Sequence, residues 1–145
     1  MEFRRMEKRD LEQVTAIEKD TFSMPWSKED FLNSMNNSSH VYVVACEGDV
    51  IYGYCGMWGV VGEGQINNVA VKKECREKGI GFQLVKFLLE EGYKQGLEAF
   101  TLEVRESNLS AIHVYEKAGF ENVGIRKNFY DKPKENAVIM WKNSR

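Results

Sequence analysis

Val69-Ala70-Val71-Lys72-Lys73-Glu74-Cys75-Arg76-Glu77-Lys78-Gly79-Ile80-Gly81-Phe82 runs from an apolar strand signal through a polar loop into a glycine turn. Beyond it Phe82, Leu84, Val85, Leu88 and Leu89 recur at helical spacing, so the segment reads as strand, loop, helix. At such a junction glycines let the backbone approach an anion, loop N–H groups point outward, and the helix N-terminus adds partial positive charge. A pyrophosphate suits that turn; taken alone, the glycines equally suit a tight turn with no ligand. A P-loop would need Gly-Lys-Ser/Thr, but Phe82 and Gln83 follow Gly81. A dinucleotide fingerprint would need a small residue where Leu84 stands and glycines close behind the strand, whereas seven residues separate Val71 from Gly79, and Glu98 is its only remaining support.

Downstream, Phe100 to Val104 is a strong strand, Asn108 can cap a helix running to about Lys117, and Gly119 fits the position that ends it. The β-α-β-α order from Gln65 to Gly119, with short connections, predicts parallel pairing of the strands Gln65 to Val71 and Phe100 to Val104. Upstream, Val41 to Cys46 and Val50 to Val61 read as an antiparallel hairpin about the turn Glu47-Gly48-Asp49. Before it, Asp10 can cap a helix whose apolar stripe is Leu11, Val14, Ile17 and Phe22, and Ser27-Lys28-Glu29-Asp30 resembles a capping box opening a second. Two helices are thus expected ahead of the sheet. Strands near Glu121 to Asn128 and Ala137 to Trp141 close the chain. The expectation is an α/β (α+β) fold with a mixed central sheet flanked by helices, in a single domain over residues 1–145.

With 145 residues, a 43% hydrophobic fraction and two prolines, the chain has the composition of one globular domain. Twenty basic and 22 acidic residues leave a net charge of −2 and no broad basic face, which argues against direct nucleic-acid binding. The charged N-terminal segment and the lack of long apolar runs argue against a membrane and for the cytoplasm. Cys46, Cys55 and Cys75 show no metal-site spacing, so structural thiols and no metal are expected. His40 and His113 stand isolated.

The succession Val69-Ala70-Val71, Arg76-x-x-Gly79-x-Gly81 and the helix beyond is similar to the acetyl-CoA-binding motif of the GNAT superfamily. Phe22-Ser23-Met24-Pro25-Trp26-Ser27, Leu102-Glu103-Val104-Arg105-x-Ser107-Asn108, Ala111-x-x-x-Tyr115-Glu116-x-x-Gly119-Phe120 and Arg126-Lys127-Asn128-Phe129-Tyr130 resemble the RimI-type ribosomal-protein-alanine N-acetyltransferases. The resemblance spans nearly the whole chain and implies the GNAT fold, with acetyl-CoA held by Val69, Ala70 and Val71, by Arg76, Glu77, Lys78, Gly79, Ile80 and Gly81, and by Asn108. The implied acceptor is a protein N-terminus, the N-terminal alanine of small-subunit ribosomal protein eighteen. The oligomeric state stays open, a monomer included.

Acetyl transfer to an amine needs a neutral amine, stabilisation of an oxyanion and a proton for the departing thiolate. Alternation puts Phe100, Leu102 and Val104 on one strand face and Glu103 on the other, at the end where ligands of α/β sheets bind. Position alone also allows a surface carboxylate or one paired with an arginine; the family resemblance implies the general base. Tyr115 follows Asn108 by two helical turns and shares its face with Ala111, and small Ala111 and Ala118 would leave room for a cofactor arm. Without the family, Tyr115 reads as core packing; with it, as the acid for the coenzyme A thiolate. By the same resemblance Trp26 and Tyr130 are acceptor-side aromatics. The N–H of Val69 or Val71 is the candidate oxyanion donor, since a splayed strand offers unpaired amides. A lysine or small-amine acetyltransferase and a non-catalytic acyl-CoA-binding module remain as alternatives.

Overall fold

A computed structural model describes residues 1–143; residues 144 and 145 of the expected domain lie outside the described residues. The strands are β1 (Glu2–Arg5), β2 (His40–Glu47), β3 (Val50–Val60), β4 (Glu63–Val71), β5 (Ala99–Arg105), β6 (Glu121–Tyr130) and β7 (Glu135–Lys142). They form one mixed sheet in the order β1-β2-β3-β4-β5-β7-β6. Helices α1 (Leu11–Thr21) and α2 (Lys28–Met35) precede β2, α3 (Ile80–Lys94) joins β4 to β5, and α4 (Leu109–Lys117) follows β5. β4 and β5 are parallel, as a crossover through a helix requires; the other pairs are antiparallel.

Period-two alternation sorts the sheet into two faces. On one, Phe100, Leu102 and Val104 of β5 and Val138 and Met140 of β7 bury against Leu84, Val85, Leu88 and Leu89 of α3 and Tyr115 of α4. On the other, Leu11, Val14 and Ile17 of α1 and Phe31 of α2 cover Tyr42, Val44, Ile51 and Tyr54. Among the described residues, that second cluster draws nothing from β5, β6 or β7. Half of that sheet face, carrying Glu103, is therefore left without a helix above it.

Three local expectations change. A strand, β1, lies ahead of the helices; its sequence Glu-Phe-Arg-Arg is too charged and short to register as one, and it sits at a sheet edge, where charges are tolerated. Asp10 does not cap α1 with its side chain: its carboxylate accepts from the Arg4 guanidinium at 2.8 and 2.9 Å and from Glu7 N at 2.8 Å. Burial alone would raise the Asp10 carboxyl, but Arg4 and the Glu7 N–H together hold it below its ordinary value, and the same bond drives Arg4 upward. Phe22 is the extended residue that ends α1, although it still packs against the second core cluster. The capping box of Ser27 and Asp30, the Asn108 cap on Ala111 N and the positive φ of Gly119 appear where expected.

Candidate active site

β4 and β5 pair at three positions only, Glu63 with Ala99, Gly64 with Phe100 and Gln65 with Thr101. Beyond Gln65 the strands part. The register of β4 on β3 steps from Ile66 opposite Met57 to Asn68 opposite Gly56, so Asn67 is the extra residue of a bulge. The bond from Lys72 N to Tyr52 O, 2.8 Å, fixes the alternation above the bulge: the amide of Ala70 turns to β3, and those of Val69 and Val71 turn into the gap. Ala70 contributes backbone alone, its side chain being buried under α1.

The glycine turn closes one end of the gap. Arg76 does not reach outward: its Nε donates to Val71 O at 3.0 Å and its Nη2 to Thr21 Oγ1 at 3.4 Å, bracing the loop against β4 and α1. Glu77 has φ +64° and Gly79, the residue before α3, φ +83°, so the chain doubles back through two left-handed conformations. Lys78 is exposed, while the Ile80 side chain enters the core and leaves only its amide for a ligand. A Cβ on Gly79 would meet nothing within 4 Å, and one on Gly81 only Val71 Cγ2 at 3.8 Å. Open space thus lies in front of first-turn amides that lack intrahelical partners. A phosphate fits that cradle, and an extended pantetheine arm fits the unpaired edge of β4.

A cleft of about 750 Å³ fills the parting and brings together Trp26, Val69, Glu103, Asn108, Tyr115 and Tyr130. Val71, Arg76, Glu77, Lys78, Gly79 and Gly81 are not among its lining residues. Ala111 lines the cleft, but Ala118 ends α4 and packs against the core instead.

Glu103 sits on the uncovered face with its side chain 15% exposed, and Arg126 Nη1 lies 3.7 Å from its Oε1. Burial pushes the Tyr115 phenol well above its usual value, with Cys55 and Tyr130 adding to the shift, so it stays protonated at neutral pH. Tyr130 is pushed up to about 12 by burial and the charge of Glu103. The Arg105 guanidinium lies 4.5 Å over its ring and bonds Pro133 O and Asp131 O, fixing the turn between β6 and β7. A carboxyl group and a phenol therefore line the same cleft as Val69 of β4.

Glu18 is a site residue that sequence reasoning missed. It is buried, accepts from the Tyr54 hydroxyl, from Asn68 Nδ2 at 3.3 Å and from Trp26 N at 2.9 Å, and lines the cleft. Its signal was spacing: Leu11, Val14 and Glu18 fall at i, i+3 and i+7 on one helix face. His40 also lines the cleft, beside Trp58, although nothing near it in sequence suggests a site.

No helix among the described residues is long and apolar enough to cross a membrane. The profile of the Acetyltransferase (GNAT) family matches residues 11–120. A Haemophilus influenzae protein named [Ribosomal protein bS18]-alanine N-acetyltransferase is 37% identical over 136 residues, 90% of this chain and 90% of the relative. Its Escherichia coli namesake is 31% identical over 137 residues, 93% and 92% of the two chains. The crystal structure of the ribosomal-protein-S18-alanine N-acetyltransferase from Escherichia coli superposes with a TM-score of 0.89 at 28% identity, covering 99% of this chain and 93% of that one.

Proposed function

The chain belongs to the acetyltransferase (GNAT) family and is an N-acetyltransferase, and from that premise we propose that it moves the acetyl group of acetyl-CoA onto the α-amine of a protein N-terminus, the alanine of ribosomal protein bS18. The observation that carries this reading is the parted strand: the amides of Val69 and Val71 face a gap whose other walls hold Glu103 and Tyr115. The names of the relatives support the acceptor. The reading takes residues 1–145 as one catalytic domain.

Acetyl-CoA supplies an activated thioester carbonyl. The backbone of Val69, Ala70 and Val71 aligns the pantetheine arm, and Asn108, whose Oδ1 is used by Ala111 N at 3.2 Å, offers its Nδ2 to the same arm. The loop Arg76, Glu77, Lys78, Gly79, Ile80 and Gly81 holds the pyrophosphate through backbone amides, with Arg76 acting as the brace behind it. Glu103 accepts a proton from the α-ammonium, directly or through water, and the freed lone pair attacks the carbonyl carbon. An N–H of Val69 or Val71 receives the oxygen as charge develops on it. As the C–S bond breaks, Tyr115 gives its proton to the sulfur, and the second proton that the attacking nitrogen sheds on becoming an amide returns to the Tyr115 oxygen, directly or through water. Trp26 and Tyr130 wall the acceptor end.

An α-amine has a reference pKa near about 8 and a lysine near about 10.4, so a carboxylate base handles the former more readily at neutral pH. The test is incubation with acetyl-CoA and two peptides, one beginning with alanine and one with a blocked α-amine and an internal lysine, with the acetyl group located by mass spectrometry. Acetylation at the α-amine is expected. Faster acetylation of the blocked peptide would replace this reading with a lysine acetyltransferase.

A further inference from the structure

One register row crosses nearly the whole sheet: His40 pairs with Trp58, Trp58 with Gln65, Gln65 with Thr101, Thr101 with Trp141, and Trp141 with Glu121. These side chains share the face that carries Glu103, because Thr101 and Glu103 are two apart on β5 and paired residues point the same way. We infer that this row is a subsite for the second to fourth residues of the acceptor and that it favours a cationic side chain there. The inference rests on the N-terminal acceptor reading above.

Reach supports it. Two residue steps along β5 lead from Thr101 to Glu103, about 7 Å at strand rise, so an extended acceptor with its amine at Glu103 lays its next residues over the row. His40, Trp58 and Gln65 line the same cleft as Glu103 and Tyr115, so the row continues the catalytic cavity.

Chemistry sets the preference. His40 stacks on Trp58 at 5.9 Å and 18°, and on Tyr42 at 6.3 Å and 20°, making a rigid aromatic ladder whose outer member, Trp58, is 42% exposed. Tryptophan faces attract cations more than other rings do. Glu63, two residues before Gln65 on the same face, and Glu121 at the end of the row are exposed, and neither is in an ion pair among the described residues. The nearby cations are taken: Arg126 lies against Glu103, and Arg105 against Glu135. Burial lowers the His40 imidazole, which is therefore neutral at pH 7 and does not oppose a cation.

The test uses three hexapeptides beginning with alanine and differing only at residues three and four, which are lysine, serine or glutamate. Their affinities for the full chain saturated with coenzyme A are measured by calorimetry. The lysine peptide is expected to bind about tenfold tighter than the glutamate peptide, the scale of a cation–π contact with supporting charge. Trp58→Ser and Glu63→Lys should each shrink that ratio, a readout that general loss of stability does not move. Equal affinities in the unmodified protein, or an unchanged ratio in both variants, would overturn the subsite. Acetylation without any preference removes the subsite and leaves the enzyme; preferential binding without acetylation does the reverse.

Discussion

The backbone N–H of Trp26 donates to the buried carboxyl of Glu18 at 2.9 Å, so the loop that walls the cleft hangs from α1. The same carboxyl holds Tyr54 of β3 and Asn68 beside the β4 bulge. One side chain thereby fixes the wall relative to the parted strand.

Replacing Glu18 with alanine strands the buried Tyr54 and Asn68 side chains and the half-buried Trp26 N–H. A loss of about 2–3 kcal/mol in stability is expected, the scale of hydrogen bonds to a charged group. Urea unfolding checks this, and a peptide KM that rises more than the acetyl-CoA KM shows the wall has moved. An unfolding midpoint within error of the parent would contradict it.

Glu103→Gln and Tyr115→Phe should each lower turnover on the order of 10² or more, the usual scale for acid–base groups, with little change in coenzyme A affinity. Steady-state kinetics and calorimetry separate the two effects. Near-normal turnover in both variants would reduce these residues to packing and assign the proton transfers to other groups or to water.

The two glycines of the turn call for different experiments. Gly79 has φ +83°, so any side chain there carries about 1–2 kcal/mol of backbone strain whatever the ligand does. Gly81 has no such requirement, and a Cβ there finds open space. Gly81→Val is the cleaner variant: calorimetry should show acetyl-CoA binding lost while the circular dichroism spectrum stays native. Unchanged affinity would remove the phosphate cradle.

Stability should fall at both ends of the pH scale. Asp10 is held below its ordinary value in the fold, so its contribution is complete above about pH 4 and disappears as pH falls through the folded pKa. Tyr54, Tyr115 and Tyr130 are all raised, Tyr130 to about 12. Above about pH 10 the unfolded chain gives up protons that the fold retains, so stability declines as pH rises. Because Tyr115 keeps its proton, turnover should show no descending limb below about pH 10 that is absent in Tyr115→Phe. Thermal melts and a pH–rate profile test the two statements.

Most of the fold was legible because its signals are local. The glycine turn before α3, the alternation that sets Glu103 apart from Leu102 and Val104, and the Asn108 cap each lie within a few neighbouring residues. Glu18 escaped because a carboxylate on a helix reads as solvated unless its place on the apolar stripe outweighs its charge. The His40 to Trp141 row escaped for another reason: it joins residues from five strands, and the pairing of His40 with Trp58 depends on a bulge near Cys46 that sequence alternation does not encode. β1 escaped because four residues, three of them charged, carry no periodicity.

The parting of β4 from β5 also makes the protein incomplete as a mechanical object. Two half-sheets, β1 to β4 and β5 to β7, share three residue pairs and then separate. A molecule lodged between them behaves as a missing strand, and whatever binds the native form alone stabilises it by mass action, about 2.7 kcal/mol at a hundredfold excess over its dissociation constant. Amides of Val69 and Val71, in the middle of a sheet, should exchange hydrogen at rates typical of an edge until that space is filled. Where the occupant is acetyl-CoA, resistance of the chain to unfolding and proteolysis follows the supply of the compound that it consumes.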